Sequence, residues 1–376
     1  MGSGCPPASP RAVHACPRES LIPGASPAKR GAMDFSSDNA AGAAPEILAA
    51  LTAASRGNAP AYGADDWTKR LAARFGEIFE HEVAVFPVAT GTAANALALS
   101  LGTPPWGIVY CHAEAHIIVD ECGAPEFFAG GAKLAGLPGE HGKITPATIA
   151  AHFTERGFVH HAQPAAISLS QTTEAGTVYR AEEIAGLGAF ARREKLFLHI
   201  DGARFANAVA ALNCSPADLT WRAGVDALSF GATKNGAFAA EAVILFDPAR
   251  AEEFAYRRKR GGHLFSKMRF LSAQLEAYLE NELWLRNARH ANAMAAQLAA
   301  GLAALPGTRL RHPVEANEIF VEMPDAVIRA LAADGFRFYR WGGAAANRLR
   351  LVASFSTTPE EVATFVKAAS AHIALM

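Results

Sequence analysis

Charge is scarce in this chain, and what there is cancels. Lysine and arginine number 35 against 36 acidic residues, a net charge of −1 over 376 residues. A balance that close provides no electrostatic footprint for a nucleic-acid backbone or an anionic membrane surface. The longest basic run, Arg257-Arg-Lys-Arg260, reads as a solvated helix end. No apolar run reaches the length of a membrane-spanning helix. Cysteine is sparse and odd in number (Cys5, Cys16, Cys111, Cys122 and Cys214), with no C-x-x-C spacing. That pattern supports neither a disulfide framework nor a zinc site, and it fits a reducing, cytoplasmic location. No Gly-Lys-Ser/Thr follows a glycine-rich turn, which excludes a Walker phosphate loop. His112 and His116 stand four apart with no third ligand in view, so no metal is expected.

Residues 1–32 lack apolar periodicity and are rich in Gly, Pro, Ser and Ala. They are expected to be a disordered N-terminal extension. They hold no apolar segment of the secretory kind, although Arg11, Arg18, Lys29 and Arg30 against Glu19 leave organelle targeting open. Met33 stands directly before a more regular texture and is the expected natural start.

The remainder, 51% hydrophobic over the whole sequence, can bury a large core. Helices are expected over Pro45–Arg56 and Asp65–Glu80, the latter with Trp67, Leu71, Phe75 and Phe79 on one face. Strand and helix signals then alternate. Strands are expected at Val83–Val88, Ile108–Cys111, Ala165–Ser170, Leu196–Asp201, Asp226–Gly231 and Glu241–Phe246. Helices are expected at Ala93–Leu101, Ala181–Glu194 and Phe205–Leu212. Alternation of this kind implies an α/β fold with a mostly parallel sheet flanked by helices, and one antiparallel pair where Glu241–Phe246 returns beside Asp226–Gly231. Long helices are expected over Phe270–Trp284 and Asn287–Leu305. After Pro306 come short strands at Glu318–Met323, Phe336–Tyr339 and Leu349–Ala353 and a helix at Pro359–Ala371, a small C-terminal α/β domain. The expected division is 1–32, 33–265 for the large domain and 266–376 for the long helices and small domain.

Three stretches carry chemistry, each directly after a strand. Lys234 sits among Gly231, Ala232 and Gly236, with little bulk around it, as suits an amine that must be partly desolvated to bond a carbonyl carbon. Asp201 ends an apolar strand and begins Asp201-Gly-Ala-Arg204, delivering a carboxylate where ligands of open α/β sheets bind. Gly91 and Thr92 open a helix after Val83–Val88, placing free N–H groups and a helix dipole where a phosphate would be held. Taken singly these are an ordinary loop lysine, a turn aspartate and a capped helix start. Taken together they are what pyridoxal 5'-phosphate requires: an amine, an acid for the ring nitrogen and a phosphate grip.

The chain resembles the low-specificity L-threonine aldolases, pyridoxal-phosphate enzymes of the aspartate-aminotransferase fold (fold type I). The resemblance rests on Phe35-Ser-Ser-Asp-Asn39, Tyr62-Gly63, Ala89-Thr-Gly-Thr92, Ala115-His116, Asp201-Gly-Ala-Arg204, Ser229-Phe-Gly-Ala-Thr-Lys-Asn-Gly236, His263-Leu-Phe-Ser-Lys267 and Leu349-Arg-Leu-Val352. It implies a lyase that cleaves L-threonine, L-allo-threonine and related β-hydroxy-α-amino acids to glycine and an aldehyde. It implies that Lys234 holds the cofactor, Asp201 pairs with its ring nitrogen and His116 stacks on the ring. Gly91 and Thr92 would take the phosphate, and Arg204 would lie beside the phenolic oxygen or the substrate. Ser37 and Arg350 would hold the substrate carboxylate, and Tyr62 would lie near a neighbouring subunit's site in a homodimer or homotetramer. His112 is expected to be structural. In one respect the chain departs from the pattern: many relatives carry Asn-Thr-His-Asn where this chain has Gln171-Thr-Thr-Glu174, so Thr173 or Glu174 is expected near the substrate hydroxyl. The open alternatives are phenylserine cleavage or β-elimination on the same scaffold, or a cofactor-binding protein without turnover.

Overall fold

The computed structural model describes Ser20, Leu21, residues 33–343 and residues 346–376. In chain order the strands are β1 (Ser20–Leu21), β2 (Ala84–Val88), β3 (Gly107–His112), β4 (Lys133–Leu137), β5 (Gln163–Ser170), β6 (Phe197–Gly202), β7 (Ala227–Gly231), β8 (Glu241–Leu245), β9 (Arg309–Leu310), β10 (Glu318–Glu322), β11 (Tyr339–Arg340) and β12 (Arg348–Val352). The helices are α1 (Pro45–Ala54), α2 (Asp66–Phe79), α3 (Gly91–Gly102), α4 (His116–Val119), α5 (Ala124–Phe128), α6 (Pro146–Ala151), α7 (Ala181–Arg193), α8 (Phe205–Leu212), α9 (Ala251–Arg260), α10 (Arg269–Leu279), α11 (Leu283–Ala303), α12 (Asp325–Ala333) and α13 (Pro359–Ala374).

Strands β2 to β8 form a seven-stranded sheet in the order β2-β8-β7-β6-β5-β3-β4. Its central pairs are parallel, and β8 runs antiparallel to both β7 and β2. The expected antiparallel pair is therefore present, and β8 makes a second one on its other side. Strands β3 and β6 to β8 are buried along their length, so they read as apolar runs and not as alternations. The C-terminal ends of β3, β5, β6 and β7 lie at one edge, and the sequence has placed its chemistry there.

Aromatic rings fill the layer behind that edge. Phe230 on β7 packs edge-on against Phe75 of α2, with ring centroids 5.1 Å apart, and against Trp284 of α11 at 5.8 Å. Each fully buried ring contributes roughly 2–3 kcal/mol of transfer free energy. They anchor the strand that leads into Lys234.

The second sheet is antiparallel where its pairing is registered, ordered β1-β11-β12-β10-β9, with α12 and α13 and the end of α11 closing its own core around Phe365, Leu349 and Ile319. Ser20 and Leu21 pair with Arg340 and Tyr339, so these two residues are strand and not the unstructured chain expected there. The open edge of β11 supplies the backbone partners that composition could not show. The rest of the expected disordered extension lies outside the described residues. Phe35 also reaches this sheet: its carbonyl accepts from the Val352 N–H at 2.8 Å.

Three expectations need correction. The long helices meet earlier than the sequence suggests: α10 stops at Leu279 and α11 begins at Leu283. The chain turns between them through Asn281 and Glu282, both with positive φ. Asparagine tolerates that region, and the turn leaves the Trp284 carbonyl to accept from Asn235 Nδ2 at 2.8 Å. The run Arg257-Arg-Lys-Arg260 does end α9, but Arg258 is buried over the Phe86 ring, 5.1 Å from its centroid. Burial there lowers its pKa to about 10. The predicted strand Phe336–Tyr339 shrinks to the two residues of β11.

Candidate active site

Close approach of two backbones builds the site. A Cβ on Gly231 would lie 2.3 Å from the Ala203 carbonyl oxygen, so only glycine lets the turn after β7 press against the turn after β6. That contact brings the Lys234 loop beside Asp201. The loop is then pinned from behind. Asn235 Nδ2 donates to Tyr278 Oη at 2.6 Å and to the Trp284 carbonyl, and Asn287 donates to the Asn235 carbonyl at 2.8 Å. Gly236 has φ 116°, and a side chain there would meet Asn287 Nδ2 at 2.8 Å. The order Thr-Lys-Asn-Gly is thus the order of a lysine, its anchor and the turn that frees both.

A cavity of about 270 Å³ opens at this edge. Lys234, Asp201, Arg204, His116, Gly91 and Thr92 all line it, so six of the expected site residues converge. Thr90 caps α3 by accepting from the Ala93 N–H, which leaves the first N–H groups of the helix facing the cavity wall. Asp201 Oδ1 accepts from the Ala203 N–H at 3.0 Å, and its Oδ2 accepts from Asn95 Nδ2 at 2.9 Å. Both carboxylate oxygens are therefore fixed in direction.

The other three expected residues stand outside that lining. Ser37 caps the short turn Asp38–Ala40, its hydroxyl accepting from the Asn39 N–H at 3.1 Å. Arg350 lies behind the wall, with Nη2 2.7 Å and Nε 3.0 Å from Glu318 Oε1. Tyr62 is 55% exposed, with Lys259 over its ring at 5.4 Å. Its backbone N–H donates to the Ser266 carbonyl at 3.0 Å.

Of the two candidates near the missing histidine, Glu174 lines the cavity and Thr173 does not. Thr173 is fully buried; its hydroxyl donates to the His141 carbonyl at 3.0 Å and pairs with Thr177 Oγ1 at 2.8 Å. Burial, reinforced by Glu318, raises the Glu174 carboxyl above its usual range. His112 is structural in its contacts: Nδ1 accepts from the Glu114 N–H, and Nε2 lies 3.1 Å from the Gly139 carbonyl.

Several residues of the site escaped the reading of the sequence. Glu241, at the start of an otherwise apolar strand, lines the cavity and accepts the Ala232 N–H at 2.7 Å; burial pushes its carboxyl to about 7. Asp38 holds Arg204 through two bonds of 2.7 and 3.0 Å. Burial would raise its pKa, but the charges of Arg204 and Lys234, with hydrogen bonds from Arg204 and Asn317, together outweigh that and bring it down to about 2. Glu318 sits 3.0 Å from Arg204 Nη1 as well as on Arg350. Asn95 and Glu121 complete the wall beside His116. A lone acidic residue in an apolar strand was the one available signal, at Glu241; the strand that opens with Glu318 also carries Glu322.

The fold and this arrangement of lysine, aspartate and helix N-terminus define a class, and comparison with known proteins agrees. A family model described as beta-eliminating lyase matches residues 34–326, and the chain belongs to that family. Within it, the chain is 46% identical over 331 residues to the low specificity L-threonine aldolase of Pseudomonas aeruginosa, covering 87% of this chain and 94% of that one. It is 46% identical over 314 residues to the enzyme of the same name from a Pseudomonas species, covering 84% of this chain and 91% of that one. Among solved structures, the threonine aldolase of Leishmania major superposes with a TM-score of 0.84 at 30% identity, covering 91% of this chain and 99% of that one. The fold is that of the fold type I enzymes, as the sequence predicts.

Proposed function

We propose that this protein is a low-specificity L-threonine aldolase that binds pyridoxal 5'-phosphate and cleaves L-threonine, L-allo-threonine and related β-hydroxy-α-amino acids to glycine and an aldehyde. One observation carries the reading: Lys234 and Asp201 line a single cavity from adjacent strand ends, with the N-terminus of α3 at its wall. The donor set fits the cofactor, since it offers an amine for the carbonyl, a carboxylate with both oxygens fixed for the ring nitrogen and unpaired N–H groups for the phosphate. When bound, the cofactor supplies an electron sink for the Cα carbanion. Lys234 would hold it through its amine, and Asp201 would keep its ring nitrogen protonated. Gly91 and Thr92 would hold the phosphate, and His116 would pack against the ring.

The substrate carboxylate belongs at the arginine corner. Arg204 reaches the cavity directly, and Arg350 stands behind it on the same buried Glu318. Guanidinium groups held this firmly fix the orientation of Cα, and orientation decides which bond stands perpendicular to the ring and breaks. Ser37 lies one residue before Asp38, which clamps Arg204, and is assigned to the same corner.

The working assembly is proposed to be a homodimer or homotetramer in the cytoplasm, with Tyr62 beside the partner's site. The exposure of Tyr62 and the three described cysteines, none of them in a disulfide, support this. No described helix is long and apolar enough to cross a membrane.

The test is product analysis of purified protein with pyridoxal phosphate and L-threonine, L-allo-threonine or L-phenylserine. Glycine and acetaldehyde should appear from both threonines without a keto-acid acceptor. Mainly 2-oxobutyrate would make it a β-eliminating enzyme, and benzaldehyde alone a phenylserine aldolase. No turnover of any of the three would leave a cofactor-binding protein.

A further inference from the structure

A continuous hydrogen-bonded chain runs beneath one wall of the cavity. His116 Nδ1 lies 2.9 Å from Glu121 Oε1. Asn95 Nδ2 lies 2.8 Å from that same oxygen and 2.9 Å from Asp201 Oδ2. Asn95, Glu121 and Asp201 are all buried. Two carboxylates meet at one amide, so the amide must present its NH₂ to both, and Asn95 Oδ1 is left without a partner among the described residues. Glu121 Oε2 is likewise buried and unpartnered. Among the described residues, every side-chain hydrogen bond of Glu121 therefore passes through Oε1, with Asn95 on one side and His116 on the other.

This places two like charges in a buried space with one neutral bridge between them. Such a pair persists only if each carboxylate has its own cation or proton. Asp201 has the protonated ring nitrogen once the cofactor is bound. Glu121 has His116, and its hydrogen bond is the main reason the imidazole pKa rises to about 9. The charged groups facing His116 are Glu121, Asp201 and Glu174, all acidic. The remaining charged lining is Arg204, Lys234 and Glu241. Glu174 is faced by Glu318, Lys234, His116 and Asp201.

We propose that Glu121 is a positioning residue: it holds His116 as a hydrogen-bond donor toward the cavity, so that the β-hydroxyl proton of the substrate passes to Glu174. This rests on the aldolase reading above. The proton leaves the hydroxyl for a Glu174 carboxylate oxygen. The oxygen's freed electron pair forms the aldehyde C=O as Cα–Cβ breaks, and the pair of that bond is delocalised into the cofactor. The proton taken up by Glu174 is then given back to Cα, which completes glycine and restores the carboxylate. His116 then acts as a cation and donor, and the base role falls to Glu174, the acidic group that faces it within the same cavity lining. A carboxyl raised toward the working pH is well suited to that transfer.

The test uses the holoenzyme with ¹³C-labelled histidine, the His116 signal being assigned by its loss in His116→Asn. In the unsubstituted protein His116 should titrate near 9, and in Glu121→Gln it should fall toward the ordinary value of about 6.5. The kcat/KM profile for L-threonine should show a basic limb that moves down by a unit or more in Glu121→Gln. It should also show an acid limb that disappears in Glu174→Gln, with a loss of roughly 10²- to 10⁴-fold. Titration of His116 near 6.5 in the unsubstituted protein overturns the proposal even if Glu121→Gln fails to fold. So does a Glu174→Gln enzyme that retains full activity. The titration needs no turnover, so its outcome is distinct from a failure to form glycine and acetaldehyde, which would overturn the aldolase reading instead.

Discussion

Two buried polar networks flank the cavity, and they are built differently. On one side, His116 at the start of α4, Glu121 just after that helix, Asn95 on α3 and Asp201 on β6 are joined around the seven-stranded sheet, with the neutral Asn95 amide standing between the two carboxylates. On the other, Asp38, Arg204, Glu318 and Arg350 are joined by charge-to-charge bonds across three separate parts: the segment leading into α1, the turn after β6 and the small domain. The first network orients groups proposed to face the cofactor. The second ties the two sheets together at the corner proposed for the substrate carboxylate. The contrast indicates that like charges on neighbouring elements of one sheet can be kept in place by a neutral amide between them. A corner shared between domains is instead specified by paired ones, where removing either partner leaves a buried charge alone.

Breaking each network should have different consequences. The largest effect is expected at the lysine between them. Lys234→Ala should abolish turnover and the cofactor's lysine-linked absorbance together while leaving the melting temperature of the apoprotein close to that of the parent. Absorbance and calorimetry on the same samples check this. Glu318→Ala should strike stability as well as activity. It removes the buried carboxylate that Arg204 and Arg350 share, while Arg204 keeps Asp38, and a loss of about 3 kcal/mol is expected in denaturant unfolding. Arg350→Ala should keep the cofactor spectrum and weaken use of L-threonine by about 2–4 kcal/mol in kcat/KM, read by steady-state kinetics. Retention of normal kcat/KM would remove Arg350 from the carboxylate corner.

The networks should also separate on a pH axis. The pKa of Asp38 is lowered, so its stabilising contribution is present above about 3.8 and lost as pH falls toward about 2. The pKa of His116 is raised, so its contribution is complete below about 6.5 and lost as pH rises through about 9. Chemical denaturation across pH should lose the acid-side term in Asp38→Asn and the alkaline-side term in His116→Asn. The smallest effect on stability is expected at Tyr62. Tyr62→Ala should reduce activity without a change in melting temperature, and light scattering should find the active species to be a dimer or tetramer.

The sequence by itself determined six of the sheet's seven strands, β4 excepted, the order of the chemistry along it and the residues that stand at strand ends. Apolar runs interrupted by Asp201 and Lys234, and glycine at 236, state those requirements locally, because strand burial and positive φ are properties of single residues and their neighbours, whereas glycine at 231 answers to the Ala203 carbonyl folded against it. Tertiary structure alone decided which of the remaining polar residues belong to the site. Thr173 and Glu174 are adjacent in sequence, yet one is spent on the His141 carbonyl and the other lines the cavity. Glu121 and Glu318 look like any acidic residue until a histidine and two arginines are folded onto them. The break between α10 and α11 was hidden for the same reason, since the Trp284 carbonyl turns toward Asn235 from 49 positions away. A buried charge is settled by partners distant in the chain, and no local pattern of residues records where those partners will be.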